Sequence, residues 1–179
     1  MKTVILCLDA GFEAEINTIE NKMTDQNINT QVICAEEQMQ RCTGCGKCWK
    51  PRKCIYDDSV NKASASIKES DGVIFLANTV YGKLSTHAET FLERLFCSAN
   101  ETMAGKVLLP ILKTRKSGTK DAAMRMMEFF LETKAIVITS ETFWKETDEN
   151  TLNLFISTIQ KESPQREIPV EHILHYIRG

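Results

Sequence analysis

No apolar run in this chain approaches the roughly 20 residues that a membrane-spanning helix needs. No signal-peptide pattern leads into its first strand-like segment, so the expected location is cytoplasmic. Neither charge sign dominates: the net charge is −2 and the isoelectric point about 6.0, which gives no electrostatic argument for nucleic acid or an anionic membrane as partner. Histidine is scarce, and none of the three has a serine or acid at informative spacing. No G-x-G-x-x-G opens the first helix, which argues against a dinucleotide-binding dehydrogenase. No internal repeat, low-complexity segment or linker divides the 179 residues, a length that buries a full core as one domain.

Cysteine is the exception to this ordinary composition. Four of seven fall within thirteen residues, Cys42-Thr43-Gly44-Cys45-Gly46-Lys47-Cys48-Trp49-Lys50-Pro51-Arg52-Lys53-Cys54, at C-x2-C-x2-C-x5-C. In a reducing compartment, such a set argues against a disulfide framework and for ligands or reactive thiols. Three thiols spaced three apart on a glycine-containing loop can wrap one side of a small inorganic core, and Cys54 can close the cage. Structural zinc more often takes paired C-x2-C units on a longer arm, so an iron–sulfur cluster on Cys42, Cys45, Cys48 and Cys54 is the ligand that this spacing suits. Gly44 and Gly46 allow tight turns, Pro51 a corner, and Lys47, Lys50, Arg52 and Lys53 would offset thiolate charge. Reduced thiols lining a redox pocket, or disulfides, fit the same residues. Cys7, Cys34 and Cys97 lie in apolar segments and read as core packing.

Five short apolar strands are expected: Thr3–Leu8, Thr30–Cys34, Gly72–Ala77, Lys106–Leu112 and Ala135–Thr139. Helices alternate with them over Glu13–Asp25, Asp58–Ser70, the stretch with Phe91 and Leu95, Asp121–Glu132 and Asn150–Lys161. The pattern predicts an α/β doubly wound parallel sheet with helices on both faces. Pro110 inside the fourth strand would remove a ladder bond unless it sits at a bulge or end. The domain is expected over residues 1–163 with the cysteine loop at 42–58. Val170, Ile173, Leu174 and Ile177 suggest a helix in the tail, 164–179. Ligands of such sheets bind beyond the carboxyl ends of the strands.

The residues around these strands resemble the flavodoxin-like NAD(P)H-dependent FMN reductases and the related iron–sulfur flavoproteins. The likeness rests on Cys42-Thr43-Gly44-Cys45, Cys48-Trp49, Cys54 with Asp57-Asp58, Ser70-Asp71-Gly72-Val73-Ile74-Phe75, Val80-Tyr81-Gly82-Lys83-Leu84-Ser85, Phe91-Leu92-Glu93-Arg94-Leu95 and Gly105-Lys106. It implies a five-stranded sheet of order 2-1-3-4-5 and FMN across the strand ends, with Asn78, Thr79, Val80, Tyr81 and Gly82 against the ring and Trp49 shielding it. It implies NAD(P)H as co-substrate, an electron acceptor as redox partner, and a homo-oligomer. Thr79 stands where family members commonly place proline. The first loop departs further, since Asp9, Glu13 and Glu15 surround the only usable phosphate donors, Gly11, Asn17 and Thr18, and carboxylates repel a phosphate. The phosphate would then shift toward Lys83 or Arg115.

Three readings follow. One is an FMN oxidoreductase or flavin electron-transfer protein, and the second is an iron–sulfur flavoprotein with a [4Fe-4S] cluster. The third is a non-enzymatic relative that has lost FMN and uses the cysteine loop for metal or partner binding. A phosphoacceptor receiver domain fits poorly, because Asn78 and Thr139-Ser140 stand where it needs an aspartate and a lysine.

Overall fold

The computed structural model describes residues 1–114, 119–138 and 149–163. Arg115, Thr139-Ser140, His172, His175 and the tail at 164–179 lie outside them. In chain order the elements are β1 (Lys2–Cys7), α1 (Glu13–Asp25), β2 (Asn29–Cys34), α2 (Ser59–Lys68), β3 (Gly72–Val80) and β4 (Lys83–Leu84). They continue with α3 (Thr86–Ala99), a 3-10 turn at Asn100–Met103, β5 (Val107–Lys113), α4 (Thr119–Leu131), β6 (Ile136–Val137) and α5 (Glu149–Glu162). Five parallel strands pair in the order β2-β1-β3-β5-β6, the expected doubly wound order. The addition is β4, a two-residue strand that folds back antiparallel on the end of β3.

Val4–Leu8 and Val73–Ala77 are buried without interruption, as strands covered on both faces must be. Successive side chains of a strand point to opposite faces, so β3 shows how the helices are divided. Gly72 faces α5, where a Cβ would come 2.5 Å from Ile159 Cδ1. Phe75, on the other face, meets Phe130 of α4 at 4.6 Å between ring centroids. Phe96 of α3 in turn meets Phe129 of α4, while Lys22 of α1 pairs with Glu149 of α5 at 2.6 Å. Hence α1 and α5 cover one face, and α3 and α4 the other.

Pro110 sits within a central strand without a bulge, and strand parity explains how. Alternate residues of a parallel strand bond to opposite neighbours. Ile138 N–H donates to the Leu108 carbonyl, so Pro110, two residues on, turns its missing N–H to the same side. Among the described residues, pairing with β6 includes Val107–Ile136 and Leu108–Val137, while pairing with β3 runs through to Lys113. The proline thus spares the inner neighbour.

Candidate functional site

Two groups of residues lie beyond the strand ends. At the end of β1, the Asp9 carboxylate accepts the Asn78 N–H at 2.7 Å and the Ser85 hydroxyl at 2.7 Å. Asn78 Nδ2 donates to the Ala10 carbonyl at 3.2 Å. His87, in the first turn of α3, places its ring nitrogens 2.7 and 2.5 Å from the carbonyl oxygens of Leu8 and Glu36. These bonds tie the ends of β1 and β3 to the start of α3. The Asn78 amide is therefore spent on Asp9, and the Thr79 hydroxyl, bonded to the Lys113 carbonyl at 3.2 Å, is spent on β5.

The carboxylates of the first loop are not the bare repulsive set that the sequence suggests. Glu15 pairs with Lys113 Nζ at 2.6 Å. The same ammonium donates to the Gly11 carbonyl at 2.7 Å and lies 4.7 Å from the centroid of the Phe12 ring. With Asp9 and Glu15 both compensated, Glu13 is the carboxylate left exposed in that turn. Gly11 adopts φ +90°, which a side chain disfavours. Asn17 and Thr18 are exposed on the helix, and the Thr18 hydroxyl donates to the Ala14 carbonyl at 2.9 Å.

Beyond Asn78 and Thr79 the chain turns at Tyr81-Gly82. Both residues have positive φ, +49° and +77°, as a two-residue hairpin of this twist requires. Gly82 takes that conformation freely, but for Tyr81 it is strained, and strain of this kind concentrates at functional sites. The Tyr81 side chain is fully exposed, and Val80 is exposed beside it.

The cysteine loop forms the second group. Gly44 and Gly46 both take φ +66°, and Arg52, after Pro51, takes φ +53°. The far end is fixed by Asn61 of α2: its Oδ1 accepts the Cys54 N–H at 2.8 Å, and its Nδ2 donates to the Cys54 and Tyr56 carbonyls at 3.0 and 2.8 Å. Asp58 caps α2 through the Val60 N–H and also holds Arg94 of α3 with two hydrogen bonds, at 2.6 and 2.9 Å. Burial works against the charge of Arg94, but the Asp58 carboxylate, with a smaller effect of Cys54, outweighs it and raises its proton affinity above the ordinary value.

Between loop and helix lies a cavity of about 120 Å³ lined by Cys42, Cys45, Cys48, Cys54 and Cys97, with Trp49, Tyr56 and Arg94. Cys97 is thus not a core-packing residue. It stands on the cavity wall, its thiol pushed up to about 11 by burial and then by Cys42 and Cys48. Cys34 is exposed, so of the three cysteines assigned to the core only Cys7 is buried. The loop cations are engaged elsewhere in part: Arg52 pairs with Glu101, and Lys53 with Asp57 at 3.4 Å. Lys47 acts chiefly through its backbone N–H, which lowers the Cys45 thiol below its ordinary value. All seven thiols are free, and among the described residues no three Cys, His, Asp or Glu side chains converge to hold a metal ion. Closing a ligand set on the cavity requires the loop to contract.

A family model described as NADPH-dependent FMN reductase matches residues 13–150, more than half the chain. The chain belongs to that family. Its sequence is 24% identical over 124 residues to an iron–sulfur flavoprotein of Methanocaldococcus jannaschii, a match covering 66% of this chain and 63% of that protein. The chain therefore spans less than two thirds of that relative. Among solved structures, an archaeal flavodoxin superposes with a TM-score of 0.59 at 20% identity, covering 91% of this chain and 99% of the other. The flavoenzyme NAD(P)H:(acceptor) oxidoreductase of Paracoccus denitrificans gives 0.62 at 12% identity, covering 90% and 98%. The fold is flavodoxin-like. Among the described residues, no helix is long and apolar enough to cross a membrane.

Within this FMN reductase family member, four side chains that shape the two groups escaped the reading of the sequence as site residues: Lys113, Asn61, Arg94 and Cys97. Lys113 ends a strand, and Asn61, Arg94 and Cys97 lie within helices whose periodicity marks only their apolar face. Asp58 carried a signal as a helix cap, but nothing in its spacing showed the partner 36 residues away.

Proposed function

We propose that this chain is a flavin-dependent oxidoreductase, taking electrons from NAD(P)H and passing them to a [4Fe-4S] cluster on Cys42, Cys45, Cys48 and Cys54 and then to an external acceptor. The observation that carries the reading is that one helix serves both groups. At its start α3 braces the strand-end crevice through His87, and ten residues on, roughly 15 Å along the axis, Cys97 walls the thiol cavity. When bound, FMN supplies hydride acceptance and electron release, and the cluster one-electron acceptance.

The residues suit both groups. Lys113, held over the first loop by Glu15 and Gly11, offsets the Glu15 charge that would repel a phosphate there, ahead of the first helical bond from Ile16 N–H to the Phe12 carbonyl. Gly11, Asn17 and Thr18 would complete that end. Val80, Tyr81 and Gly82 would lie against the ring, with Asn78 and Thr79 fixing the hairpin base. Trp49 would cover the cavity mouth and keep water from the thiols. Soft donors surround a space that also holds a buried cation, the chemistry that an anionic iron–sulfur group needs.

Val80, Tyr81, Trp49 and Ile55 are exposed apolar side chains near these groups, which supports a second copy of the chain covering them. Sedimentation of the purified protein should then give a dimer or larger, and a monomer at micromolar concentration would remove that part. The flavin and cluster are tested by a visible spectrum of protein purified without oxygen, with iron and sulfide assayed on the same sample. The expected result is flavin bands with a broad shoulder that bleaches on dithionite, in a soluble, cytoplasmic preparation. A featureless spectrum, with no quenching of FMN fluorescence at high micromolar protein, would favour the non-enzymatic relative.

A further inference from the structure

Helix α3 brings to the cysteine cavity one side chain whose hydrogen bonding is incomplete. Arg94 is 1% exposed and lines the cavity. A guanidinium has five N–H donors and no acceptor. Four of them meet oxygen: Nη1 donates to Asp58 Oδ2 at 2.6 Å and the Gln40 carbonyl at 3.1 Å, Nη2 to Asp58 Oδ1 at 2.9 Å and the Tyr56 carbonyl at 3.5 Å. The fifth, on Nε, is buried without a hydrogen-bond partner among the described residues. A buried charged group with an unmet donor is costly, and such groups in folded proteins ordinarily have a reason.

The neighbouring acceptor is sulfur. Cys54 lines the same cavity as the guanidinium. It is also the loop cysteine whose backbone Asn61 grips on both sides. The two partners are thus fixed independently: Asp58 sets the plane of the guanidinium, and Asn61 sets Cys54.

We propose that Arg94 is a positioning residue for the sulfur chemistry of this cavity, donating its Nε–H to the Cys54 sulfur or to a sulfide of the iron–sulfur group bound there. The part concerning the cluster rests on the function proposed above. A positive charge and an N–H···S bond stabilise the state with the extra electron, so Arg94 raises the reduction potential of the group. The same charge and N–H donor stabilise the negative sulfur of a metal–thiolate bond, so Arg94 strengthens the binding of any soft metal ion that Cys54 ligates. Lysine cannot replace it, because an ammonium keeps the charge but lacks the fork that meets Asp58 and sulfur together.

The experiment compares the full-length chain with Arg94→Lys, both checked for native circular dichroism. Each is reconstituted with iron and sulfide for a dye-mediated potential titration, and each is titrated separately with Cd2+, followed by thiolate absorption. The expected result is a more negative potential in Arg94→Lys and a Cd2+ affinity about tenfold weaker. If the wild type takes up no iron or sulfide while the Cd2+ difference remains, the cluster reading falls and the role of Arg94 stands. Equal potentials and equal Cd2+ affinities would overturn the role of Arg94 and leave the cluster reading intact. A wild type that binds neither iron–sulfur nor Cd2+ overturns both. Should Arg94→Lys fail to fold, the wild type labelled with 15N-arginine decides: a buried Nε–H resonance that shifts on Cd2+ addition supports the assignment, and one that stays in place refutes it.

Discussion

The seven cysteines share one side-chain chemistry and differ in what surrounds them. Cys45 is exposed, and the Lys47 N–H lowers its thiol below the ordinary value; desolvation opposes this, and the Thr43 hydroxyl and the Lys47 charge add to the lowering. Cys7 is pushed up to about 12, first by burial and then by Cys34, its partner across the β1–β2 pair. Because the thiolate is the nucleophile, iodoacetamide at pH 7 should label Cys45 first and Cys7 and Cys97 last, read by peptide mass spectrometry. Equal labelling rates would contradict this grading. The same shifts set a pH dependence of stability. Folded values of about 12 for Cys7 and about 11 for Cys97 exceed the ordinary 9.0, so the folded state holds these protons more tightly. Their contribution is whole below pH 9.0 and is lost as the pH rises toward the folded values. Urea midpoints between pH 9 and 11 should accordingly fall less steeply in Cys7→Ala than in the wild type.

Elements meet at points where one atom decides the fit. Gly72 begins β3 under α5, and a Cβ there would approach Phe155 Cζ to 2.8 Å as well as Ile159. Gly72→Ala should cost about 1–3 kcal/mol by chemical denaturation, since one of two packed elements must shift. A loss below a few tenths would mean that α5 yields freely. The β3–β4 hairpin gives the opposite case. Asparagine tolerates the left-handed region better than tyrosine does, so Tyr81→Asn should leave the melting temperature unchanged or raise it. If the ring of Tyr81 contacts flavin, the same variant should weaken FMN about tenfold in a fluorescence titration, a loss of roughly 1.4 kcal/mol. Unchanged affinity would make Tyr81 a residue of the subunit surface alone.

Across the whole molecule, Asp9 is the point where β1, β3 and α3 are joined. Its carboxylate accepts one amide and one hydroxyl from segments 69 and 76 residues away. Asp9→Asn should cost about 1–3 kcal/mol, because an amide nitrogen turned toward either donor leaves buried polar groups unmatched. A wild-type urea midpoint in this variant would show that the brace is redundant.

The sequence by itself determined the layered fold. Continuous apolar runs such as Val73–Ala77, short and alternating with helical segments, read as strands of a parallel sheet covered on both faces, and the family resemblance supplied their order. It also determined the turn-making glycines at 44 and 46 and the spacing of the four loop thiols, because these are properties of neighbouring residues. Only the tertiary structure decided which charges remain active. The three acids of the first loop looked equivalent in sequence, yet Asp9 is consumed by β3 and Ser85, and Glu15 by Lys113, while Glu13 stays in solvent. Cys97 and Arg94 looked like two more positions on an amphipathic helix. They join the thiol cavity because α3 packs alongside α2, with Arg94 on Asp58 and the Ser98 carbonyl on Ser64, and a contact between segments so far apart in the chain leaves no local pattern to read.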